Sequence, residues 1–230
     1  LKQQGFNIYA RVGDVRDKNI FEEIITEWGL PDTIFHAAAL KHVTPSSWSP
    51  EEYITTNILG TLNVLRFAHK HRIRVVNIST DKVVHSNSVM GATKKVAEIM
   101  TRDAKQISVR FGNVMGSRGS VLSIWQKQID EWKPLTVTDS RMTRYMMTIP
   151  QACGLVIKAA ELGEGGEIFI LDMGKPVNVL SLAEDILKKS GKDVGIKMIG
   201  MKPGETLTER LMTPEEEEIA IRNGDFYILK

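Results

Sequence analysis

The sequence predicts an α/β protein in which a doubly wound, mainly parallel sheet carries a smaller mixed α/β lobe. Short β-branched runs alternate with amphipathic helical segments between residues 8 and 111, and this alternation is typical of right-handed βαβ units. From residue 134 the apolar runs become shorter and less regular, which indicates a second lobe. The 230 residues, 42% of them hydrophobic and 25% charged, are enough to bury one sizeable core.

Composition and charge exclude several classes of protein. The net charge of +2 comes from 30 basic and 28 acidic residues, which form no long block apart from residues 215–218, so no nucleic-acid partner is expected. No apolar run reaches the roughly 18 residues of a membrane span, and neither a span nor a signal peptide is predicted. The single cysteine, Cys153, cannot form an internal disulfide, which suits a reducing, cytoplasmic compartment. No metal site is predicted.

The first elements are a strand, a helix and a second strand. Residues 7–12 have a strand pattern, and Asp17 can cap a helix that ends at Gly29. The next strand, residues 33–35, runs into small side chains that let either a flat ligand or a helix approach the backbone closely. Because the chain starts with Leu1 and reaches a strand at once, we expect it to begin inside a fold. The apolar face of the predicted helix carries Ile20, Phe21, Ile24, Ile25 and Trp28.

A second helix is predicted to begin at Ser49, because a capping residue, a proline and a glutamate three residues after the cap occur together there. Asn57 lies among the apolar residues of this helix, where a buried amide needs a polar partner. The alternative is an asparagine at the solvent edge. The predicted buried stripe is Ile54, Ile58, Leu62 and Leu65.

A cluster of ionisable groups follows the next strand. Residues 74–78 have the pattern of a buried strand, Ser79-Thr80-Asp81-Lys82 comes directly after it, and helical spacing begins at Met90. In open α/β sheets ligands bind at the carboxyl ends of the strands, so residues 79–94 are the candidate site. An Asp-Lys pair on a loop is more often a solvated ion pair of little energy, and that alternative stays open at this point.

The remaining elements divide between the two lobes. A strand at residues 107–111, a Gly-rich loop at 112–120 and a helix at 121–132 complete the first lobe. The second lobe is predicted to hold short strands within 135–147, a helix at 149–162, a strand at 167–171, a helix opened by a capping box at 181–184 and ending near Gly191, a strand at 196–199 and a short helix ending at Met212.

Motifs along the whole chain carry a resemblance to a known family. They are Gly13-Asp14-Val15-Arg16-Asp17, His36-Ala37-Ala38-Ala39, Asn57-Ile58-Leu59-Gly60-Thr61, Ser79-Thr80-Asp81-Lys82, Met90-Gly91-Ala92-Thr93-Lys94, Arg110-Phe111-Gly112-Asn113-Val114 and Arg141-Met142-Thr143-Arg144. Together they resemble the extended short-chain dehydrogenase/reductases, and more narrowly the UDP-N-acetylglucosamine 4,6-dehydratases of capsule, O-antigen and flagellin-glycan synthesis.

The resemblance implies a Rossmann-like fold and a division of the chain. Residues 1–133 would form a dinucleotide-binding domain and residues 134–230 mainly the substrate-binding lobe, with residues 149–172 packing back on the first domain. The family opens with a strand and a Gly-rich turn whose N–H groups hold the cofactor pyrophosphate. Here Gly5, Gly13 and Gly29 are scattered, so an N-terminally truncated sheet is expected.

A second departure concerns the catalytic tyrosine that the wider superfamily places four residues before its lysine. In this chain Met90 stands at that spacing from Lys94, and the two share one helix face. A thioether cannot exchange a proton. Methionine at this position is familiar in the capsule-type subgroup, so it marks a subgroup more than an inactive enzyme.

The implied reaction has three parts and uses bound, recycled NADP or NAD. Hydride leaves sugar carbon 4, water is eliminated across carbons 5 and 6, and hydride returns to carbon 6. The resemblance assigns Lys82 as the base at carbon 5 and Asp81 as the acid for the departing hydroxyl. We therefore expect burial and nearby positive charge to lower the pKa of Lys82, and a partly desolvated cleft to raise the pKa of Asp81.

The resemblance also assigns residues to each part of the site. Asp14 and Val15 are expected at the adenine, Lys94 at the nicotinamide ribose, and Ser79 or Thr80 at the carbon 4 hydroxyl, with Arg118 as an alternative clamp for the diphosphate. The catalytic set is Ser79, Thr80, Asp81, Lys82, Met90 and Lys94. The cofactor set is Asp14, Val15, His36, Ala37, Ala38, Ala39, Lys41, Asn57, Ser79, Lys94, Phe111 and Asn113. The substrate set is Lys41, His42, Asn113, Ser120, Val121, Arg141, Thr143, Arg144 and Glu205.

Two other functions remain open. A nucleotide-sugar epimerase acting at carbon 4 or carbon 5 needs the hydride shuttle, but a simple carbon 4 epimerase needs no elimination and relies on the tyrosine. A non-catalytic nucleotide-sugar-binding subunit would need no acid–base pair. In each case the partner is a UDP-sugar, and the family's habit predicts a homo-oligomer.

Overall fold

The computed structural model describes residues 5–230. Its strands are β1 (Thr33–His36), β2 (Arg74–Ile78), β3 (Ile107–Arg110), β4 (Asn113–Val114), β5 (Leu135–Val137), β6 (Thr143–Arg144), β7 (Met146–Met147), β8 (Ile168–Leu171), β9 (Val177–Asn178), β10 (Ile196–Met198), β11 (Ile221–Asn223) and β12 (Phe226–Leu229). The central six-stranded sheet has the order β1-β2-β3-β8-β12-β11. Its strands β1, β2, β3 and β8 are parallel, and β12 and β11 are antiparallel to their neighbours.

Helices cover both faces of this sheet. They are α1 (Ile20–Trp28), α2 (Val43–Ser46), α3 (Pro50–Tyr53), α4 (Gly60–His71), α5 (Val89–Asp103), α6 (Val121–Asp130), α7 (Ile149–Leu162), α8 (Val179–Ser190) and α9 (Pro214–Ile219). Helix α7 packs on Val76, Val109 and Phe169 on one face, while α1, α4 and α5 pack around Val75 on the other. The predicted doubly wound α/β sheet is thereby confirmed.

A second hydrophobic cluster lies outside the central sheet. Trp125 and Ile129 of α6 pack against Leu135 of β5 and Ala183 of α8, and β5 pairs with β10 in parallel. The indole N–H of Trp125 donates to the carbonyl of Thr136 at 2.8 Å, so the ring is fully buried with its polar atom satisfied. None of the helices in residues 5–230 has the length and apolar character that crossing a bilayer requires.

Several predicted elements differ in the structure. Residues 7–12 have no strand assignment, because a strand pattern becomes a strand only beside a partner and no strand of residues 5–230 pairs with them. Helix α8 begins after Asn178, whose side chain accepts from the amide of Ser181, so the cap predicted at 181 was wrong. Residues 201–212 form turns and no helix, and the next helix is α9, capped by Thr213.

The helix predicted from Ser49 is interrupted. Ser49 is the N-cap residue of α3, but its side chain makes no capping hydrogen bond. Residues Ile54–Leu59 form a π-helical segment before α4, and the extra residue per turn rotates the buried face. Ile54 is 43% exposed, so the predicted stripe was wrong there. The fully buried positions are Tyr53, Asn57, Gly60, Thr61, Val64, Leu65, Phe67 and Ala68, so Leu65 of the predicted stripe is confirmed, while Ile58 and Leu62 are half-buried.

The C-terminal residues return to the central sheet. Strand β12 inserts beside β8 in antiparallel register, and Phe226 packs edge-on against Phe169 at 5.5 Å between ring centroids. The sequence analysis did not predict β11 or β12. The division of the chain at residue 133 into two domains stays a prediction.

A buried arginine connects the sheet to two other segments. Arg110, at the end of β3, donates to the Glu98 carboxylate of α5 at 2.6 Å and to the Glu216 carboxylate of α9 at 2.6 Å. It also donates to the carbonyl of Leu211 at 2.9 Å. Glu98 in turn accepts from the hydroxyl of Ser79 at 2.6 Å. Because both partners of a buried charge are anionic and hydrogen-bonded, the arginine is fully compensated.

Arg110→Met should destabilise the protein by about 3–5 kcal/mol, because it removes the buried cation that Glu98 and Glu216 share and leaves Glu98 only the partly exposed Lys95 at 3.5 Å. Chemical unfolding followed by circular dichroism measures this change. Arg222→Met is the matched control, since Arg222 pairs with Asp172 on the surface and an exposed pair contributes only about 0–1 kcal/mol. Equal unfolding midpoints for the two variants would contradict the prediction.

Helix α5 approaches the turn after β2 so closely that only glycine fits at one position. A Cβ on Gly91 would lie 2.6 Å from the carbonyl oxygen of Lys82, whereas a Cβ on Gly154 of α7 would meet no atom within 4 Å. Backbone cannot move away as a flexible side chain can, so the first substitution must shift the helix or the turn.

Gly91→Ala should therefore lower stability by about 1–3 kcal/mol through overpacking. Gly154→Ala should raise it by about 0.5–1 kcal/mol, since alanine is the better helix former and the site has room. Thermal unfolding of the two variants side by side measures the difference. A stabilised Gly91→Ala variant would show that the close approach is not a constraint.

Candidate active site

A cleft of about 480 Å³ lies at the carboxyl ends of β2 and β3, between the sheet and the second cluster. The predicted site residues that line it are Ala37, Ala39, Lys41, His42, Ser79, Thr80, Lys82, Met90, Lys94, Phe111, Asn113, Ser120, Val121, Arg144 and Glu205. Asp81 lines an adjoining pocket of about 190 Å³ that also reaches Lys82, Asn113, Arg144 and Glu205. The predicted residues that line neither are Asp14, Val15, His36, Ala38, Asn57, Arg141 and Thr143. The roles assigned to all of them stay predictions.

Backbone hydrogen bonds between the ends of β2 and β3 position Asp81 and Lys82. The amide of Ser79 donates to the carbonyl of Val109 at 2.7 Å, and that of Asp81 to the carbonyl of Phe111 at 3.1 Å. A single 3-10 turn, Asp81–Val83, follows and is capped by the Thr80 side chain. The ladder between the strands thus continues past their ends, which fixes where the side chains of the turn begin.

Asp81 and Lys82 form a cluster with a third charged residue, Glu209. The Asp81 and Glu209 carboxylates are buried, and the side chain of Lys82 is 23% exposed. The Lys82 ammonium lies 3.0 Å from Asp81 Oδ1 and 3.0 Å from Glu209 Oε1. It also donates to Asn113 Oδ1 at 3.3 Å. The alternative from sequence was a solvated ion pair. It is wrong for Asp81, because this residue is only 1% exposed.

The protonation states of this cluster differ from the expectation. Burial lowers the pKa of Lys82, but the attraction of Asp81 and Glu209 outweighs burial and the pKa is raised. Burial raises the pKa of Asp81, but Lys82, together with Glu209 and Thr80, outweighs burial and the pKa is lowered. Among the chain's own side chains both directions are opposite to the expected ones, because the sequence did not reveal the second carboxylate facing Lys82. For Glu209 burial dominates and raises the pKa to about 7.

The N-terminal half of α5 brings Met90 and Lys94 to the cleft. Ser88 caps the helix by accepting from the amide of Gly91 at 3.1 Å. The Lys94 ammonium is buried and donates to the carbonyl of Ile78 at the end of β2. Burial lowers the pKa of Lys94 to about 8, with Glu98 acting in the opposite direction. Met90 is 2% exposed, and its thioether faces the cleft without a proton to exchange.

Asn57 holds the loop that follows β1. Its Oδ1 accepts from the amide of Leu40 at 2.8 Å, and its Nδ2 donates to the carbonyl of Leu40 at 3.0 Å and to the Thr93 hydroxyl at 3.0 Å. The expectation that a buried Asn57 needs a partner is confirmed, and the solvent-edge alternative is wrong. His36 bonds Thr61 at 2.9 Å, and burial, followed by the charge of Lys94, lowers its pKa to about 4.

The predicted phosphate-binding side chains are in different situations. Arg144 donates to the carbonyls of Thr143, Leu207 and Thr206 at 2.7, 3.2 and 2.8 Å, so most of its N–H groups hold the 206–209 segment. Arg141 is exposed, and its guanidinium donates to the Asp139 carboxylate at 3.0 and 2.9 Å. Lys41 donates to the Ser117 hydroxyl at 3.2 Å, and burial lowers its pKa.

The sequence analysis missed Glu209. It lies in an irregular segment between β10 and α9 with no periodic pattern, and its burial depends on the anchoring of residues 206–211 by Arg144 and Arg110. A polar residue in such a segment gives no sequence signal by itself. The adjacent Thr208 and Arg210 line the same small pocket.

The sequence and the fold of this chain are similar to those of known proteins. A family model described as polysaccharide biosynthesis protein matches residues 1–230. The chain is 45% identical over 216 residues to the capsular polysaccharide biosynthesis protein CapD of Staphylococcus aureus, covering 89% of this chain and 36% of that protein. It is 36% identical over 228 residues to a UDP-glucose 4-epimerase of Rickettsia bellii, covering 94% and 65%.

Solved structures give the same result for the fold. The X-ray structure of Pen from Bacillus thuringiensis is 37% identical, with a TM-score of 0.91 over 99% of this chain and 74% of that one. The structure of DesIV, a dTDP-glucose 4,6-dehydratase from Streptomyces venezuelae with NAD and TYD bound, is 22% identical, with a TM-score of 0.78 over 90% and 71%. This chain spans 36% of the length of CapD. Because the family model matches every residue, the protein belongs to the polysaccharide biosynthesis protein family.

Proposed function

We propose that the chain carries the catalytic residues of a nucleotide-sugar 4,6-dehydratase, an NAD(P)-dependent lyase acting on UDP-N-acetylglucosamine or a close relative. The observation that carries the proposal is the buried contact of 3.0 Å between Lys82 and Asp81 at the edge of the cleft. Placing two charged side chains at the edge of the cleft costs free energy unless they are compensated. A protein that only binds its ligand gains nothing from an acid–base pair in return for that cost.

The residues of the cleft fit the nicotinamide half of a bound NADP or NAD. Ala37 and Ala39 have small side chains that leave room beside the backbone, and the buried ammonium of Lys94 is a donor for ribose hydroxyls. When bound, the cofactor supplies one function, the removal of a hydride at sugar carbon 4 and its return at carbon 6. DesIV, which shares the fold, was crystallised with NAD, and this supports the assignment.

The elimination would be performed by the chain's own residues. Lys82 takes the proton from carbon 5, and Asp81 gives a proton to the hydroxyl leaving carbon 6. The pKa of Lys82 is raised and that of Asp81 is lowered, which favours the cationic lysine and the ionised carboxylate, so both must exchange protons during a cycle. Asn113, whose amide oxygen accepts from Lys82, orients the ammonium toward the cleft.

A nucleotide-sugar 4-epimerase is the second candidate, favoured by the identity to a Rickettsia protein of that name. Epimerisation at carbon 4 returns the hydride to the opposite face of the same carbon and needs no base at carbon 5. The buried Lys82–Asp81 contact is therefore unexplained by that reaction, and Met90 offers no phenol for the carbon 4 hydroxyl.

The whole-length protein should convert UDP-N-acetylglucosamine to a product lighter by one water and carrying a carbon 4 ketone. Mass spectrometry and NMR of the product distinguish the candidates. An unchanged mass with inverted carbon 4 would show the epimerase. Binding without any turnover by cofactor-loaded protein would show the non-catalytic subunit, and either result overturns the dehydratase.

Lys82→Ala should abolish dehydration, a loss of about 100-fold or more, while the cofactor stays bound because Lys94 is intact. Product formation and cofactor absorbance are measured on the same sample. Lys127→Ala is the control, since Lys127 is exposed on α6 with only Glu131 beside it. Dehydration at the wild-type rate by Lys82→Ala would remove the base role.

A further inference from the structure

The cluster at the edge of the cleft contains two carboxylates, those of Asp81 and Glu209, beside the single ammonium of Lys82. A simple acid–base pair would need only one of them. Asp81 and Glu209 are both buried, and each has one oxygen facing a cation. Asp81 Oδ1 accepts from the Thr80 hydroxyl at 2.9 Å and from Lys82 at 3.0 Å. Glu209 Oε1 lies 3.0 Å from Lys82 and 3.3 Å from Nε of Arg144.

The second oxygen of each group has no donor. Among the described residues, Asp81 Oδ2 and Glu209 Oε2 are buried atoms without a hydrogen-bond partner, and the two carboxyl groups meet at one ammonium, since Lys82 Nζ lies 3.0 Å from each. Two ionised carboxylates in contact repel, and a buried acceptor without a donor costs free energy. One proton between Oδ2 and Oε2 removes both penalties, because a protonated carboxyl is a donor.

We propose that Asp81 and Glu209 share one proton, and that Glu209 is the positioning residue that passes protons between Lys82 and Asp81. The inference rests on the proposed dehydratase reaction for its function, while the shared proton itself does not. Glu209 can serve in this way because its Oε1 and Asp81 Oδ1 each lie 3.0 Å from Lys82 Nζ, which leaves the other, unpartnered oxygen of each carboxyl group to share the proton.

The relay balances over one elimination. Before it, Asp81 takes the proton on Oε2 of Glu209, and Glu209 takes one from Lys82 at Oε1, which leaves a neutral amine and a protonated acid. The amine then takes the carbon 5 proton, the C5–H electrons form the C5–C6 double bond, the C6–O bond breaks, and Asp81 protonates the leaving hydroxyl as water. Lys82 is again cationic, Asp81 ionised and Glu209 protonated, now at Oε1, and rotation of the Glu209 carboxyl group returns this proton to the side of Asp81, so no co-reactant is needed.

The pair should impose a pH dependence on turnover. Burial raises the pKa of Glu209 to about 7, with Lys82 and Arg144 lowering it and Asp81 raising it. The shared proton is therefore present below that pH and lost above it, and kcat should fall as the pH rises through about 7. The titratable and charged groups that face the pair are Lys82 and Arg144 in contact, and His85, Glu205 and Arg210 in the same pocket.

The test uses Glu209→Gln in the whole-length protein, because glutamine keeps the shape and hydrogen bonds of the acid but cannot pass a proton on. We expect kcat to fall about 100-fold, KM to change less than about threefold, and the fall above pH 7 to disappear from the residual rate. Glu209→Asp should recover part of kcat together with the pH dependence. Glu217→Gln, on the exposed face of α9, is the control. A Glu209→Gln variant with wild-type kcat and an unchanged profile overturns the proposal.

Infrared difference spectroscopy of the wild type tests the shared proton without turnover and without relying on the variant's folding. We expect the C=O band of a protonated carboxyl that titrates near pH 7 and is lost in Asp81→Asn or Glu209→Gln. A wild-type protein that dehydrates without this band overturns the shared proton. A protein with the band but without dehydration keeps the shared proton and overturns the proposed function alone.

Discussion

The buried ion network around Arg110 is the interaction on which the site depends. It ties the end of β3 to α5 through Glu98 and to the segment before α9 through Leu211 and Glu216. Glu98 also accepts from Ser79 at the end of β2. The ends of β2 and β3, helix α5 and the segment before α9 are therefore all fixed, directly or through Glu98, to the guanidinium of Arg110. Arg144 fixes the same segment by donating to the carbonyls of residues 206 and 207. Glu209 therefore lies in sequence between the residues held by Arg144 and Leu211, which is held by Arg110.

The position of each element could be predicted from sequence where its pattern is local. The alternation of β-branched runs and amphipathic helices identified β1, β2, β3 and α5 because burial on a parallel sheet leaves a continuous apolar run and a helix leaves a stripe. The same reasoning fails where a second segment decides the outcome. Residues 7–12 have a strand pattern without a strand beside them, and β12 is a strand because β8 offers a free edge. The π-helical segment Ile54–Leu59 changes the buried face by one residue, which no apolar count reveals.

The candidate site divides in the same way. Ser79-Thr80-Asp81-Lys82 could be located because a polar cluster directly after a buried strand must lie at the sheet's carboxyl edge. The charge states of Asp81 and Lys82 could not, since the balance between burial and attraction depends on Glu209, which is distant in sequence and next to both in space. With one partner, burial of Lys82 competes against a single carboxylate. With two, attraction outweighs burial and the pKa of Lys82 is raised.

Met90 has no phenol, so the hydroxyl groups of the predicted catalytic set are those of Ser79 and Thr80. Ser79 donates to Glu98 and Thr80 donates to Asp81, so both hydroxyl protons point at carboxylates while oxygen lone pairs remain for the cleft. Under the proposed reaction, a sugar hydroxyl that donates to Thr80 is two hydrogen bonds away from the oxygen that Lys82 also contacts. Oxidation at carbon 4 and elimination at carbons 5 and 6 then draw on a single set of proton-carrying groups. Such sharing is consistent with a site that has methionine at position 90 in place of a tyrosine and in which Lys82 contacts both Asp81 and Glu209.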